Sequence, residues 1–195
     1  RNEVVQTLKK WIEIPSIKAP AEAGAPFGAA VRRALDAALA DAQAMGFTTR
    51  NFDGYAGDAR MGPLGVDPLG ILVHLDVVPV GDGWTVNPFE GVAQGDRFVG
   101  RGTSDDKGPA VAALYAMRAV KNAGVPLKRE VRLIFGCDEE SGWDDIRYYQ
   151  AHCDMPRTGF SPDASYPVIN TEKGLLVMEL SGKPAADGLK VKKIA

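Results

Sequence analysis

The sequence is poor in cysteine and in histidine, with two residues of each among 195. Cys137 and Cys153 do not form a CxxC pair. This excludes a disulfide framework or a cysteine-rich zinc site and predicts two reduced thiols in a cytosolic protein. The N-terminal residues Arg1 to Glu3 carry no apolar signal core, so we expect a cytoplasmic protein. They also lack an initiator Met, and we expect the sequence to begin inside a longer chain.

Long apolar runs and an excess of basic charge are also lacking. No run approaches the roughly 20 apolar residues that a membrane-spanning helix needs. Lys and Arg number 23 against 25 Asp and Glu, for a net charge of -2, and they are scattered. Because nucleic acid binding needs a basic face, nucleic acid is excluded as the main partner. The length and the 45% hydrophobic content predict one globular domain, with part of a second.

Helical and strand-like patterns alternate along the chain. Apolar residues with helical spacing predict helices over 3–13, 27–45, 109–122 and 144–152. Apolar, β-rich runs predict strands over 69–80 and 131–135, with shorter ones at 47–52, 97–99 and 175–180. A long loop is expected over 81–95. The alternation predicts an α/β fold, a three-layer α/β/α arrangement around a mixed, largely parallel sheet.

One histidine and five acidic residues lie at or beside the ends of these apolar runs. They are His74, Asp76, Asp105, Glu139, Glu140 and Asp163. Ligands of such sheets bind at the strand ends. Imidazole and carboxylates together suit zinc, manganese or cobalt. His74 and Asp76 are two residues apart on this strand, so both side chains leave the same face of it, and Asp76 is either a ligand or a partner that orients His74.

Each acidic segment also has an ordinary structural explanation. Asp105-Asp106 could cap a helix and favour its first turn. Glu139 and Glu140 could lie in a solvated loop, and Asp163 could be a turn residue. The second histidine, His152, lies in a short polar stretch and is predicted to be a surface residue.

Taken together, the motifs resemble the M20 family of metallopeptidases, and most of all its PepV-type dipeptidase branch. The matching segments are His74-Leu75-Asp76-Val77-Val78-Pro79, Gly100-Arg101-Gly102-Thr103-Ser104-Asp105-Asp106-Lys107-Gly108-Pro109, Asp138-Glu139-Glu140 and Ser161-Pro162-Asp163-Ala164. The resemblance implies a zinc-peptidase-like fold, with the N-terminal part of the catalytic domain over residues 1–180. Residues 181–195 would be a linker or the start of a truncated lid domain.

The resemblance also implies a role for each candidate residue. Asp105 would bridge two divalent metal ions, zinc first among them, with manganese or cobalt as alternatives. His74 and Asp163 would complete one metal site, and Glu140 would bind the other ion. The Asp105-Asp106 peptide bond would be cis.

Two catalytic roles complete the assignment, in which Glu139 is the general base and Asp76 orients His74. The implied reaction is hydrolysis of the peptide bond in dipeptides or similar small substrates. The lid and a further histidine ligand, which the family supplies from later in the chain, are missing from this sequence. We therefore expect an incomplete fragment that is inactive or nearly so.

Two alternatives stay open on the sequence alone. One is an aminoacylase or another amide hydrolase on the same scaffold. The other is a non-catalytic metal-binding module. The oligomeric state is not indicated by any pattern in the sequence.

Overall fold

The computed structural model describes residues 2–165, 167–174 and 176. Residues up to Ala164 form one compact unit, and a second unit begins at Ser165. The described residues of the second unit contain neither helix nor strand. All the candidate site residues belong to the first unit.

Within the described residues, the first unit contains four helices and seven strands. The helices are α1 (Asn2–Ile12), α2 (Ala29–Ala44), α3 (Lys107–Asn122) and α4 (Asp144–His152). The strands are β1 (Thr48–Phe52), β2 (Ala56–Met61), β3 (Leu69–His74), β4 (Val92–Gln94), β5 (Arg97–Val99), β6 (Val131–Gly136) and β7 (Thr158–Phe160).

Five of the strands form one mixed sheet in the order β1-β2-β6-β3-β7. β3 pairs in parallel with both β6 and β7, whereas β1, β2 and β6 pair antiparallel. β3 and β6 are aligned so that His74 lies opposite Gly136. Because the two strands are parallel, the segments that follow them leave from the same edge of the sheet, as the sequence predicts.

Helices cover both faces of the sheet, which confirms the three-layer α/β/α prediction. Side chains alternate along the strands, so Leu133 and Phe135 of β6 face the core beneath α1, α2 and α3. Ile134 faces the opposite way and packs with Tyr149 of α4 in a smaller cluster. Among the described residues, no helix combines the length and the apolar character that crossing a bilayer requires.

The strand expected over 69–80 is wrong in its extent, because β3 ends at His74. Its partner β6 ends at Gly136, and β7 pairs only as far as Ile71. Leu75 makes one more bond, from its N–H to the carbonyl of Gly136 at 3.0 Å. Beyond it the chain turns to other partners, since the N–H of Val77 bonds to the carbonyl of Ser16.

Further differences are local, and one is β2, a strand that the sequence patterns did not predict. α3 begins two residues earlier than expected, so that it includes Lys107 and Gly108. The loop predicted over 81–95 contains the short strand β4, which pairs with β5. β7 is too short and too exposed to produce an apolar run, and the sequence did not indicate it. The strand predicted over 175–180 lies outside the described residues except for Leu176.

Candidate metal centre

His74 stands at the centre of the site, at the last position of β3. Its ring is buried, and its Nδ1 lies 2.9 Å from the main-chain oxygen of Asp76. This contact orients the ring and leaves Nε2 facing the other acids. Nε2 lies 2.8 Å from Asp105 Oδ1, 3.4 Å from Asp163 Oδ2 and 3.9 Å from Glu139 Oε2.

The structure therefore brings together acids that are far apart in the sequence. Two groups of potential ligand atoms, each within 4.8 Å of one another, meet at His74. One consists of His74, Asp106 and Asp163, and the other of His74, Asp105 and Glu140. Glu139 lies beside them, and Asp76 lies behind the histidine.

Asp76 contacts more than the histidine. Its Oδ1 lies 3.4 Å from His74 Nδ1. The same carboxylate accepts hydrogen bonds from the backbone N–H groups of Glu139 and Glu140, at 3.2 and 3.1 Å. Asp76 thus connects the end of β3 to the turn that follows β6.

Asp106 is a candidate metal ligand for which the sequence suggested only a role in capping a helix. It occupies the position before α3 but makes no side-chain capping bond. Its Oδ2 instead accepts the backbone N–H of His74 at 3.0 Å, and its Oδ1 is buried without a hydrogen-bond partner among the described residues. The Asp105-Asp106 peptide bond is cis, in agreement with the resemblance. An adjacent pair of acids before a helix was the only sequence signal available for Asp106.

The electrostatics of the site favour a bound cation. Burial raises the pKa of Asp106 to about 7, and burial also raises the pKa values of Glu139, Glu140 and Asp163. Mutual repulsion adds to these shifts, since Asp163 raises the pKa of Glu139 and Asp105 raises that of Glu140. A divalent ion would neutralise this crowding of carboxylates.

The same surroundings favour the neutral form of the acids but the charged form of His74. Burial disfavours the charged ring, but its hydrogen bond with Asp76 and the charges of Asp76, Asp106 and Asp163 raise the pKa of His74 to about 10. A metal ion would take the place of that proton, because a ligating histidine must be neutral. The donor set, the unpaired Asp106 oxygen and this charge balance all fit a divalent metal.

Comparison with known proteins agrees with this geometry. Residues 70–183 match the model of peptidase family M20/M25/M40. The chain belongs to this family. The matched range contains all six candidate residues.

A curated relative is similar over most of this chain. It is the Bacillus subtilis (strain 168) protein named "Putative dipeptidase YtjP", 43% identical over 178 residues. The alignment covers 90% of this chain and 38% of that protein. The chain thus spans well under half the length of this relative.

Solved structures support the fold. Human carnosine dipeptidase 1 superposes with a TM-score of 0.71 and 24% identity, over 85% of this chain and 39% of that one. The M20 family metallo-carboxypeptidase Sso-CP2 from Sulfolobus solfataricus gives a TM-score of 0.70 and 22% identity, over 84% of this chain and 38% of that one. At these identities the likeness establishes the M20 catalytic-domain architecture and nothing about the substrate.

Proposed function

We propose that the protein hydrolyses the peptide bond of dipeptides or similarly small peptides with the help of two divalent metal ions, zinc first among the candidates. The observation that carries this proposal is the convergence of Asp105, Asp163 and Glu139 on the Nε2 atom of His74, within 3.9 Å. The M20 membership and the dipeptidase name of the relative support the reaction class.

We propose two sets of metal ligands that share Asp105, in addition to the two groups of nearby ligand atoms that share His74. We propose that His74 and Asp163 hold one ion, that Glu140 holds the other, and that Asp105 bridges them. When bound, such ions lower the pKa of water and polarise the amide carbonyl. Asp106 adds a second carboxylate close to His74 and Asp163.

The position of Glu139 supports its assignment as the general base. Its side chain is 31% exposed, its Oε2 atom lies 3.9 Å from His74 Nε2, and burial raises the pKa of the carboxyl group. We propose that Glu139 accepts a proton from the attacking water and then gives it to the leaving amine. Beside Glu139 lies a cavity of about 50 Å³, walled by Leu72, Trp143 and Ile146, which suits a small substrate group.

We further propose that the 195-residue chain by itself has little or no activity. Both candidate ligand groups depend on His74, and one imidazole nitrogen cannot serve two ions. Among the described residues, the set with Asp105 and Glu140 therefore has no nitrogen ligand of its own. We expect this chain to bind one ion more tightly than a second.

The test combines metal analysis with turnover, the turnover being measured on the full-length protein. Glu139→Gln should retain bound zinc or manganese but lose at least about 100-fold in kcat on dipeptides, as loss of a general base requires. Glu13→Gln, at an exposed acid directly after α1, is the matched control and should change neither. Loss of metal in Glu139→Gln would make Glu139 a ligand, and cleavage of N-acyl amino acids but not dipeptides would make the protein an aminoacylase.

A further inference from the structure

The turn that carries Glu139 and Glu140 is held at its backbone by two buried carboxylates. Asp76 accepts the N–H groups of Glu139 and Glu140. The Oδ2 atom of Asp145 accepts hydrogen bonds from the N–H groups of the two residues before Glu139, from Cys137 at 2.6 Å and from Asp138 at 3.0 Å. Four successive backbone donors thus end on two side chains from different parts of the chain.

Within the described part of the chain, the Asp145 side chain accepts hydrogen bonds from backbone N–H groups alone. It lies in the first turn of α4, is 0% exposed, and its Oδ1 accepts the N–H of Ile146 at 2.6 Å. Among the described residues, no cationic side chain forms an ion pair with it. A buried carboxylate without a counter-ion is costly, so its three backbone bonds and the helix N-terminus must compensate.

Gly136 provides the space for this carboxylate. A Cβ atom at Gly136 would lie 2.7 Å from Asp145 Oδ2. Gly136 is also the residue that pairs with His74 across the two parallel strands. The carboxylate of Asp145 therefore lies against the strand end from which the turn departs.

We propose that Asp145 is a positioning residue of this site, which fixes the Cys137–Glu140 turn so that Glu139 and Glu140 face His74. The inference rests on the proposed function for its consequence in catalysis, but the contact itself does not depend on it. Asp145 acts on the acids only through the backbone, since it bonds to the N–H groups of the two residues before them. Asp76 secures the other half of the same turn.

The variant that tests this is Asp145→Asn, with Asp144→Asn as its matched control. Both remove one charge from the first turn of α4, but the Asp144 side chain is 61% exposed and pairs with Arg147. In Asp145→Asn, an NH₂ group replaces one of the two carboxylate oxygens, both of which accept hydrogen bonds from backbone N–H groups. The NH₂ group cannot accept these bonds. For each variant, zinc titration and amide hydrogen exchange of Cys137 and Asp138 in the metal-free protein are measured, and dipeptide turnover is measured on the full-length protein.

In Asp145→Asn, but not in Asp144→Asn, we expect faster exchange at the amides of Cys137 and Asp138. We also expect zinc affinity and kcat to fall by about 10–100-fold, as for other residues that support metal ligands. A merely structural role would lower Tm but leave the zinc affinity of the folded protein unchanged. Unchanged exchange together with zinc affinity within twofold of the parent would overturn the inference. Should Asp145→Asn fail to fold, Gly136→Ala displaces the same carboxylate and should weaken zinc binding in the same direction.

The two proposals fail in different ways. If the unsubstituted protein binds neither zinc nor manganese, the proposed function fails. The exchange of the Cys137 and Asp138 amides then still decides whether Asp145 holds the turn.

Discussion

Lys107 is a buried lysine at the start of α3, directly after the Asp105-Asp106 pair. Its side chain is 0% exposed, and its Nζ donates to the carbonyl oxygens of Trp11 at 2.9 Å and Ile14 at 2.8 Å. These carbonyls belong to the last turn of α1 and the residues after it. Burial lowers the pKa of Lys107 from 10.5 to about 7, against the opposing attraction of Asp76.

This shift makes the free energy of unfolding depend on pH. The unfolded chain holds the lysine proton up to its ordinary pKa of 10.5, whereas the folded chain releases it near 7. The unfolded state thus binds more protons between these values, and stability rises with pH across that window. The contribution is fully present above pH 10.5 and is lost as pH falls through 7.

The size of the effect follows from the two pKa values. Each pKa unit corresponds to about 1.4 kcal/mol, so the whole window contributes on the order of 5 kcal/mol. Between pH 7 and 9 the gain should be about 2 kcal/mol. Lys107→Met removes the titrating group and should also destabilise the protein at every pH, because two carbonyls lose their donor.

The assay is urea unfolding of the parent and of Lys107→Met at pH 7, 8 and 9. The difference in unfolding free energy between them should widen by about 2 kcal/mol over this range. Lys121→Met is the matched control, since Lys121 Nζ also donates to two carbonyls, of Met45 and Gly46, but from an exposed position. A difference that stays constant with pH for Lys107→Met would refute the reasoning.

Two further predictions concern the turn before α3 and the core. Gly108→Ala should weaken zinc binding in a titration, although alanine is the better helix former. The Cβ atom of the alanine would overlap the carbonyl oxygen of Thr103 and displace the turn that carries Asp105. Unchanged zinc affinity would mean that the turn can accommodate the methyl group. Leu133→Ala, at a fully buried position of β6, should lower the urea unfolding free energy by about 2–5 kcal/mol, whereas Leu64→Ala, at a side chain 53% exposed, should cost less than about 0.5 kcal/mol.

Much of the fold could be predicted from local patterns. α4 begins and ends where the spacing of its residues predicts, and β6 differs from the prediction by one residue. These segments were recognisable because their apolar spacing or apolar run matches one regular structure. β7 could not be recognised, since it is three exposed residues that, within the described part of the chain, pair with β3 alone.

The sequence by itself determined which chemistry the site contains. His74, Glu139 and Glu140 could be selected because they lie at or beside the ends of buried apolar runs, whereas the roles of Asp105 and Asp163 came from the resemblance to the M20 family. Their side-chain types favour a divalent metal ion as the ligand. The expectation that these side chains come close together is met by the distances around His74 Nε2.

Only the tertiary structure decided how these groups are held. The bonds from Asp76 to the Glu139–Glu140 turn and from Lys107 to Trp11 span 63 and 96 residues, and no local pattern specifies such partners. Asp145 looks like an ordinary first-turn acid of a helix in the sequence. Its support for the turn depends on the space beside Gly136, which exists only once α4 packs against the sheet.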